Sequence, residues 1–249
     1  MLFKDIRKCF SKSKGRFISI MCLMALGSFA LVGLKVAGPD MRETGRHYFD
    51  KFNLADISII GDYGIDKENQ DVINKVKGAD KIEYGYLKDV SIKDSTESFR
   101  IFSNTSDISI YEIVEGRLPQ TGCEIAVASF YNDDYKIGDK IQFSEKADIS
   151  GGKSLKYDEF TIVGFVNSPE FLSFVNMGQS TAGSGELKGY AVVDESAFNS
   201  DYYMIARLTF SDLRGLDPYS DEYSERLNKY KDELNNLLKD QPGERLISI

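Results

Sequence analysis

Histidine is almost missing from this 249-residue chain: there is one, His47, beside only three cysteines, Cys9, Cys22 and Cys123. A histidine-based triad or a zinc cluster needs more such side chains than these, so the commonest hydrolytic machinery is excluded. Excess positive charge is lacking too, with 31 Lys and Arg against 39 Asp and Glu, a formal net charge of −8. A surface of that sign repels nucleic-acid phosphates, and nucleic acid is set aside as a partner. The chain has no repeat of fixed period and no low-complexity tract. What it does have is a hydrophobic fraction of 42% with 14 Tyr and 16 Phe, enough for a packed core in one composite domain or two small ones.

One long apolar run stands out, "GRFISIMCLMALGSFALVGLKVAG" at 15–38, with Lys35 its only charge after Arg16. As a helix, Phe17 to Val36 reaches ~30 Å, the hydrocarbon thickness of a bilayer. The flank before it carries Lys4, Arg7, Lys8, Lys12, Lys14 and Arg16 against the single acid Asp5. Basic flanks stay cytoplasmic, which puts everything after Val36 outside. Charge agrees, since residues beyond 36 hold 24 bases against 38 acids. A cleavable signal needs a shorter core and small residues at −3 and −1. Here Lys35 and Leu31 occupy −3 of the candidate cuts, so the segment is expected to be retained. Residues 1–15 read as a basic amphipathic segment with Leu2, Phe3, Ile6 and Phe10 on one face, or as an ordinary basic flank. Ala25, Gly27, Ser28, Ala30 and Gly33 are small enough to admit a neighbouring helix, or small by chance. Gly38 and Pro39 mark either the boundary of the span or a hinge. With Cys9 inside, Cys22 in the span and Cys123 outside, no intrachain disulfide forms, and Cys123 reads as a small buried hydrophobe.

Beyond the span, "DMRETGRHYFDKFN" continues a helix to about Asn53, and "ADISIIG" alternates like a strand. Asp66 caps a short helix through Val72, Ile73 and Val76 that stops at Gly78, and "KIEYGYLKDVSI" follows as a strand. From residue 97 strands dominate: "ESFRIFS", "EIAVAS", "GDKIQFS", "EFTIVGFV", "GYAVVD" and "YMIARLTF". A polar helix over 219–241 then carries the seam Tyr223, Leu227, Tyr230, Leu234 and Leu237, which suits either packing on its own domain or the root of a stalk.

No catalytic, cofactor-binding or metal-ligating residues are assigned. His47 stands alone, and with 38 external acids some carboxylates are always close, so pairs of them read as solvated surface. "GSGELKG" at 183–189 leads into a strand rather than the helix a phosphate loop requires, and "NDDYKIGD" lacks the spacing of a calcium loop and reads as a turn.

The order of segments carries a resemblance. After the basic start and the span come "RETGRHYFDKFNLADISIIGDYGI", "EGRLPQTGCEIAVA", "IGDKIQF" with "EFTIVGFVNSPEF", and "GSGELKGYAVVDESAF". Together they resemble the first transmembrane helix and extracytoplasmic core domain of the FtsX/MacB-like ABC transporter permeases, of the large Firmicutes type, over about residues 1–240. The resemblance implies an α+β chain: a transmembrane helix at 16–37, an extracytoplasmic mixed α/β domain at 38–218 made of a porter-like lobe and a mostly β lobe, an amphipathic helix at 219–241 and a tail at 242–249. It also implies a plasma-membrane subunit without catalysis or cofactor. Its partners would be an ABC ATPase at the cytoplasmic face and further permease segments or a second permease copy. Motion coupled to ATP hydrolysis would serve export or mechanical signalling. Such permeases have four or more spans, so the chain is expected to be a fragment or a split gene product. The alternative is a single-span anchored extracellular binding or sensor domain.

Overall fold

The computed structural model describes residues 14–146, 152–239 and 244–248, so the expectation for residues 1–13 lies outside what is described. Helix α1 (Lys14–Lys51) takes in the whole apolar run and includes Pro39. Pro39 lacks an N–H but occupies one turn of a 38-residue helix whose remaining hydrogen bonds hold it. The chain divides into two units between His47 and Tyr48, within α1.

In the first of these units no helical residue is buried, and Leu23, Phe29 and Leu34 are 72%, 80% and 83% exposed. A helix apolar all round is stable only against protein or lipid. By length and composition α1 can cross a membrane. Past the apolar run it turns polar, with Glu43 paired to Arg46 at 2.7 Å and to His47 at 3.1 Å, and with the Thr44 hydroxyl donating to the Asp40 carbonyl.

The second unit, Tyr48 onward, has two lobes. The first is built from β1 (Ile57–Ile65), α2 (Lys67–Ile73), β2 (Ala79–Gly85), β10 (Tyr203–Phe210), α3 (Asp221–Leu238) and β11 (Glu244–Ser248). Its sheet runs β11-β1-β10-β2 with every neighbouring pair antiparallel. Each β-α-β unit therefore has a strand of the other inserted between its own two, a split βαβ arrangement. Alternation puts Ile57, Ile59, Ala206, Leu208 and Phe210 on the face covered by Ile73 of α2 and by Leu227, Leu234 and Leu238 of α3. Tyr230 stacks on Phe210 with ring centroids 3.9 Å apart. The seam on α3 is therefore a packing face on its own lobe and not the root of a stalk. Asp66 caps α2 as expected, accepting from the Asn69 N–H, and Ser220 caps α3 by accepting from the Tyr223 N–H. The segment expected as a tail supplies β11, an edge strand on β1.

The second lobe lies within the first in sequence, between β2 and β10. Its strands are β3 (Leu87–Ile92), β4 (Ser98–Ser103), β5 (Glu112–Gly116), β6 (Glu124–Ala128), β7 (Lys140–Ser144), β8 (Glu159–Asn167) and β9 (Leu187–Val193). They run β5-β8-β6-β9-β4-β3-β7, and β7 pairs back onto the first half of β8, so the sheet closes into a barrel with β5 on the second half of β8. Closure removes edges that would otherwise seek partners. Phe99, Ile101, Ile125, Phe160 and Ile162 fill the interior. Gly189 makes room there, since a Cβ at that position would sit 2.6 Å from the Phe99 ring.

"KIEYGYLKDVSI", expected as one strand, is two strands in two different sheets. The chain changes lobes at Tyr86, whose N–H donates to the Ser103 hydroxyl at 2.9 Å and whose carbonyl accepts from the Ser103 N–H at 3.0 Å. The helix before it ends at Ile73, ahead of Gly78. β5 carries no strand signal in the sequence because four of its five residues are exposed and no alternation results.

Candidate functional site

The informative places are those where parts of the body are fastened together. The first is the junction at the end of α1. Phe52 is buried and Asn53 turns the chain with φ of 48°, a left-handed conformation that asparagine tolerates. Its carbonyl accepts from the Ser109 N–H at 2.8 Å, its side-chain amide donates to the Asp107 carbonyl, and its amide oxygen accepts from Arg214 at 2.9 Å. Lys51, in the last turn of α1, meets Glu112 at the start of β5 at 3.3 Å, and Asn167 at the end of β8 donates to the same carboxylate at 3.2 Å. The Asn167 and Lys51 contacts hold Glu112 below the usual carboxylate range. Close by, burial raises Asp56 although it accepts from the Phe210 N–H at 2.8 Å and from the Tyr223 hydroxyl at 3.0 Å.

The second place is the core between the lobes, where the sheet of the split βαβ lobe turns Ile60 and Ile205 towards Phe102, Val166 and Tyr190 of the β lobe. Arg207 of β10 is 1% exposed and grips Glu170, in the segment after β8, through two bonds of 2.5 and 3.2 Å. Its guanidinium lies 5.5 Å from the Phe102 ring centroid. Burial disfavours the Arg207 charge, and the Glu170 carboxylate, by charge and hydrogen bonding together, outweighs this and raises the pKa. Burial likewise raises the neighbouring Tyr111.

Residues 168–186 leave β8 between these two places. At one end Phe171 stacks on Tyr190 at 4.9 Å, and burial pushes the Tyr190 hydroxyl up to about 12. At the other, Asp89 of β3 accepts from the Thr181 N–H at 2.9 Å while binding Arg100 of β4 at 2.6 and 2.9 Å, and Arg100 donates to the Gln179 carbonyl. Burial opposes ionisation of Asp89, but the bonds from Arg100 and Thr181 prevail and lower its pKa.

Sequence reasoning placed a turn at "NDDYKIGD" and a loop at "GSGELKG". Asp139 accepts from the Lys136 N–H at 2.8 Å in the first, and Gly183 and Gly185 hold positive φ in the second. His47 lies exposed on α1, paired with Glu43. Cys123 is exposed, contrary to the expectation of burial, because it precedes β6 at a turn whose inward positions are Ile125 and Val127. Among the described residues no three His, Cys, Asp or Glu side chains are gathered to hold a metal ion. Arg207, Glu170 and Asp89 had gone unremarked, for single charges inside or beside strands carry no spacing signal.

No protein-family model and no curated protein matches the chain. Among solved structures, one that it resembles is the extracellular domain of a noncanonic ABC-type transporter, YknZ, from Gram-positive bacteria. The match has a TM-score of 0.39 and 9% identity over 77% of this chain and 99% of that one. A superposition that loose carries no argument about this chain.

Proposed function

We propose that the chain is the first-span and external-body portion of an ABC-type permease of the FtsX/MacB kind, which passes motion between a partner ATPase at the cytoplasmic face and two lobes outside the cell. The order of its sequence segments supports the family reading. The observation that carries the mechanical part is the fastening of the last turn of α1: Lys51 to Glu112, and Asn53 to the 107–109 segment and Arg214. A displacement of that turn is delivered to both lobes, because Arg214 follows β10 of one lobe and Glu112 begins β5 of the other. In this reading the polypeptide is not itself catalytic, its basic end is cytoplasmic and its body is external.

The test is purification of the intact chain from its native membrane under mild detergent, followed by identification of what comes with it. A nucleotide-hydrolysing subunit bearing a phosphate loop is the expected companion. Inserting Gly-Gly-Ser between Lys51 and Phe52 is expected to keep that companion bound while abolishing any ATP-dependent change in distance between labels on the body. A chain that purifies alone and binds a small ligand outside the membrane would establish the anchored sensor instead.

A further inference from the structure

Five consecutive residues, Leu172 to Asn176, are exposed between Phe171, which stacks on Tyr190, and the buried Met177. Among the described residues no backbone group from Leu172 to Met177 is hydrogen-bonded to another backbone group, and the Val175 N–H donates to the hydroxyl of Ser173. Such a stretch can be drawn out into the extended form a protease needs without breaking any strand or helix bond.

The side chains on it select the class of enzyme. Leu172 and Phe174 are 66% and 70% exposed, and large apolar side chains of this kind fill the hydrophobic specificity slot of a chymotrypsin-type endopeptidase. An enzyme specific for basic residues has nothing to hold there, because residues 157–187 contain neither lysine nor arginine. Other exposed apolar side chains of the body stand on backbone that is tied down. Tyr63 belongs to β1, Ile113 and Val114 to β5, and Tyr157 sits between the Lys156 N–H, which donates to the Ala197 carbonyl, and the Asp158 carbonyl, which accepts from the Phe143 N–H.

Topology decides what a cut there does. It leaves β1 to β8 on one fragment and β9, β10, α3 and β11 on the other. β9 lies between β6 and β4 in its sheet, and β10 lies between β1 and β2 in the other, so the second fragment is interleaved with the first in both lobes. The bonds from Arg207 to Glu170 and from the Thr181 N–H to Asp89 then join the two fragments.

We infer that Leu172–Asn176 is a site of limited proteolysis, cut after Leu172 or Phe174 by an endopeptidase with an apolar specificity pocket, and that the product is a nicked body whose fragments stay together. In the cut the carbonyl carbon takes the oxygen of a water molecule, the C–N bond breaks, and the nitrogen leaves carrying a proton. This requires the folded body alone, and neither a membrane nor an ATPase.

The full-length chain in detergent would be treated with a trace of chymotrypsin, the fragments weighed by mass spectrometry, and the digest passed over a sizing column without denaturant. Within residues 48–249 the first cut is expected after Leu172 or Phe174, at least about a hundredfold faster than the next, since bonds inside the sheets open only in an unfolded population of about one part in 10³ or fewer. The two fragments should elute together and part only in denaturant. The double variant Leu172→Ser with Phe174→Ser should slow the first cut at least tenfold at an unchanged Tm, and Phe130→Ser, beside Phe174 with ring centroids 6.0 Å apart, should not slow it. An uncut tip, a first cut elsewhere in the body, an undiminished rate in the double variant, or fragments that part on the column would each overturn the inference. The map of cuts on the parent chain decides the site by itself, whatever the variants' stability.

Discussion

Removing Glu170 should be worse for the body than removing Arg207, and removing both with apolar replacements should be nearly harmless. Arg207 cannot shed its proton and is 1% exposed, so Glu170→Ala strands a permanent charge between the lobes. Stranding one member of a buried pair costs about 3–5 kcal/mol. For a body of this size that is a fall of roughly 6–20 °C in Tm. Arg207→Met leaves the carboxylate, which at 10% exposure keeps a route to water, and the methionine stays over the Phe102 ring, so the loss should be smaller. The pair Glu170→Leu with Arg207→Met removes both charges at once and should come within about 1–2 kcal/mol of the parent, since apolar replacements of buried ion pairs are often neutral. Calorimetry on the full-length parent, Glu170→Leu, Arg207→Met and the double variant in one detergent measures the coupling directly as a double-mutant cycle. If the two single losses simply add in the double variant, or if Glu170→Ala costs under about 1 kcal/mol, the pair is not the bolt between lobes described above.

Asp89 gives a pH test. Its folded pKa is depressed, so its contribution to stability is present above the unfolded carboxylate value near ~4 and is lost as pH falls through the lower folded value. Asp89→Asn should therefore be least stable relative to the parent at neutral pH, with the gap closing in acid, as followed by thermal melts from pH 7 to 3. Gly164→Ala should destabilise by at least about 2 kcal/mol, because its Cβ would lie 2.3 Å from the Arg117 carbonyl oxygen where β5 runs along β8; urea midpoints check it. In α1 the reverse holds: a Cβ at Gly27 meets nothing within 4 Å, so Gly27→Leu should leave the fold intact. If the small face of the span receives another helix, the same change should lower recovery of the partner subunit on co-purification.

Much of the architecture was legible because it rests on local periodicity. The apolar run dictates a helix long enough for a bilayer, alternation dictates most of the strands, and Asp66 dictates where α2 starts, since each of these depends on neighbours a few residues away. Strand partnership was another matter. "KIEYGYLKDVSI" reads as one strand, but Tyr86 sends its halves into different sheets, a choice made by Ser103 and by packing against residues far along the chain. β5 has little burial for alternation to reveal, and the pairing of β11 with β1 joins segments far apart in sequence. The closing of β7 onto β8, the burial of Arg207 against Glu170 and the exposure of Cys123 were settled only by tertiary structure. Whether a charge is buried, or a sheet closes, depends on which distant segments arrive beside it, and the residue types in a short window do not carry that information.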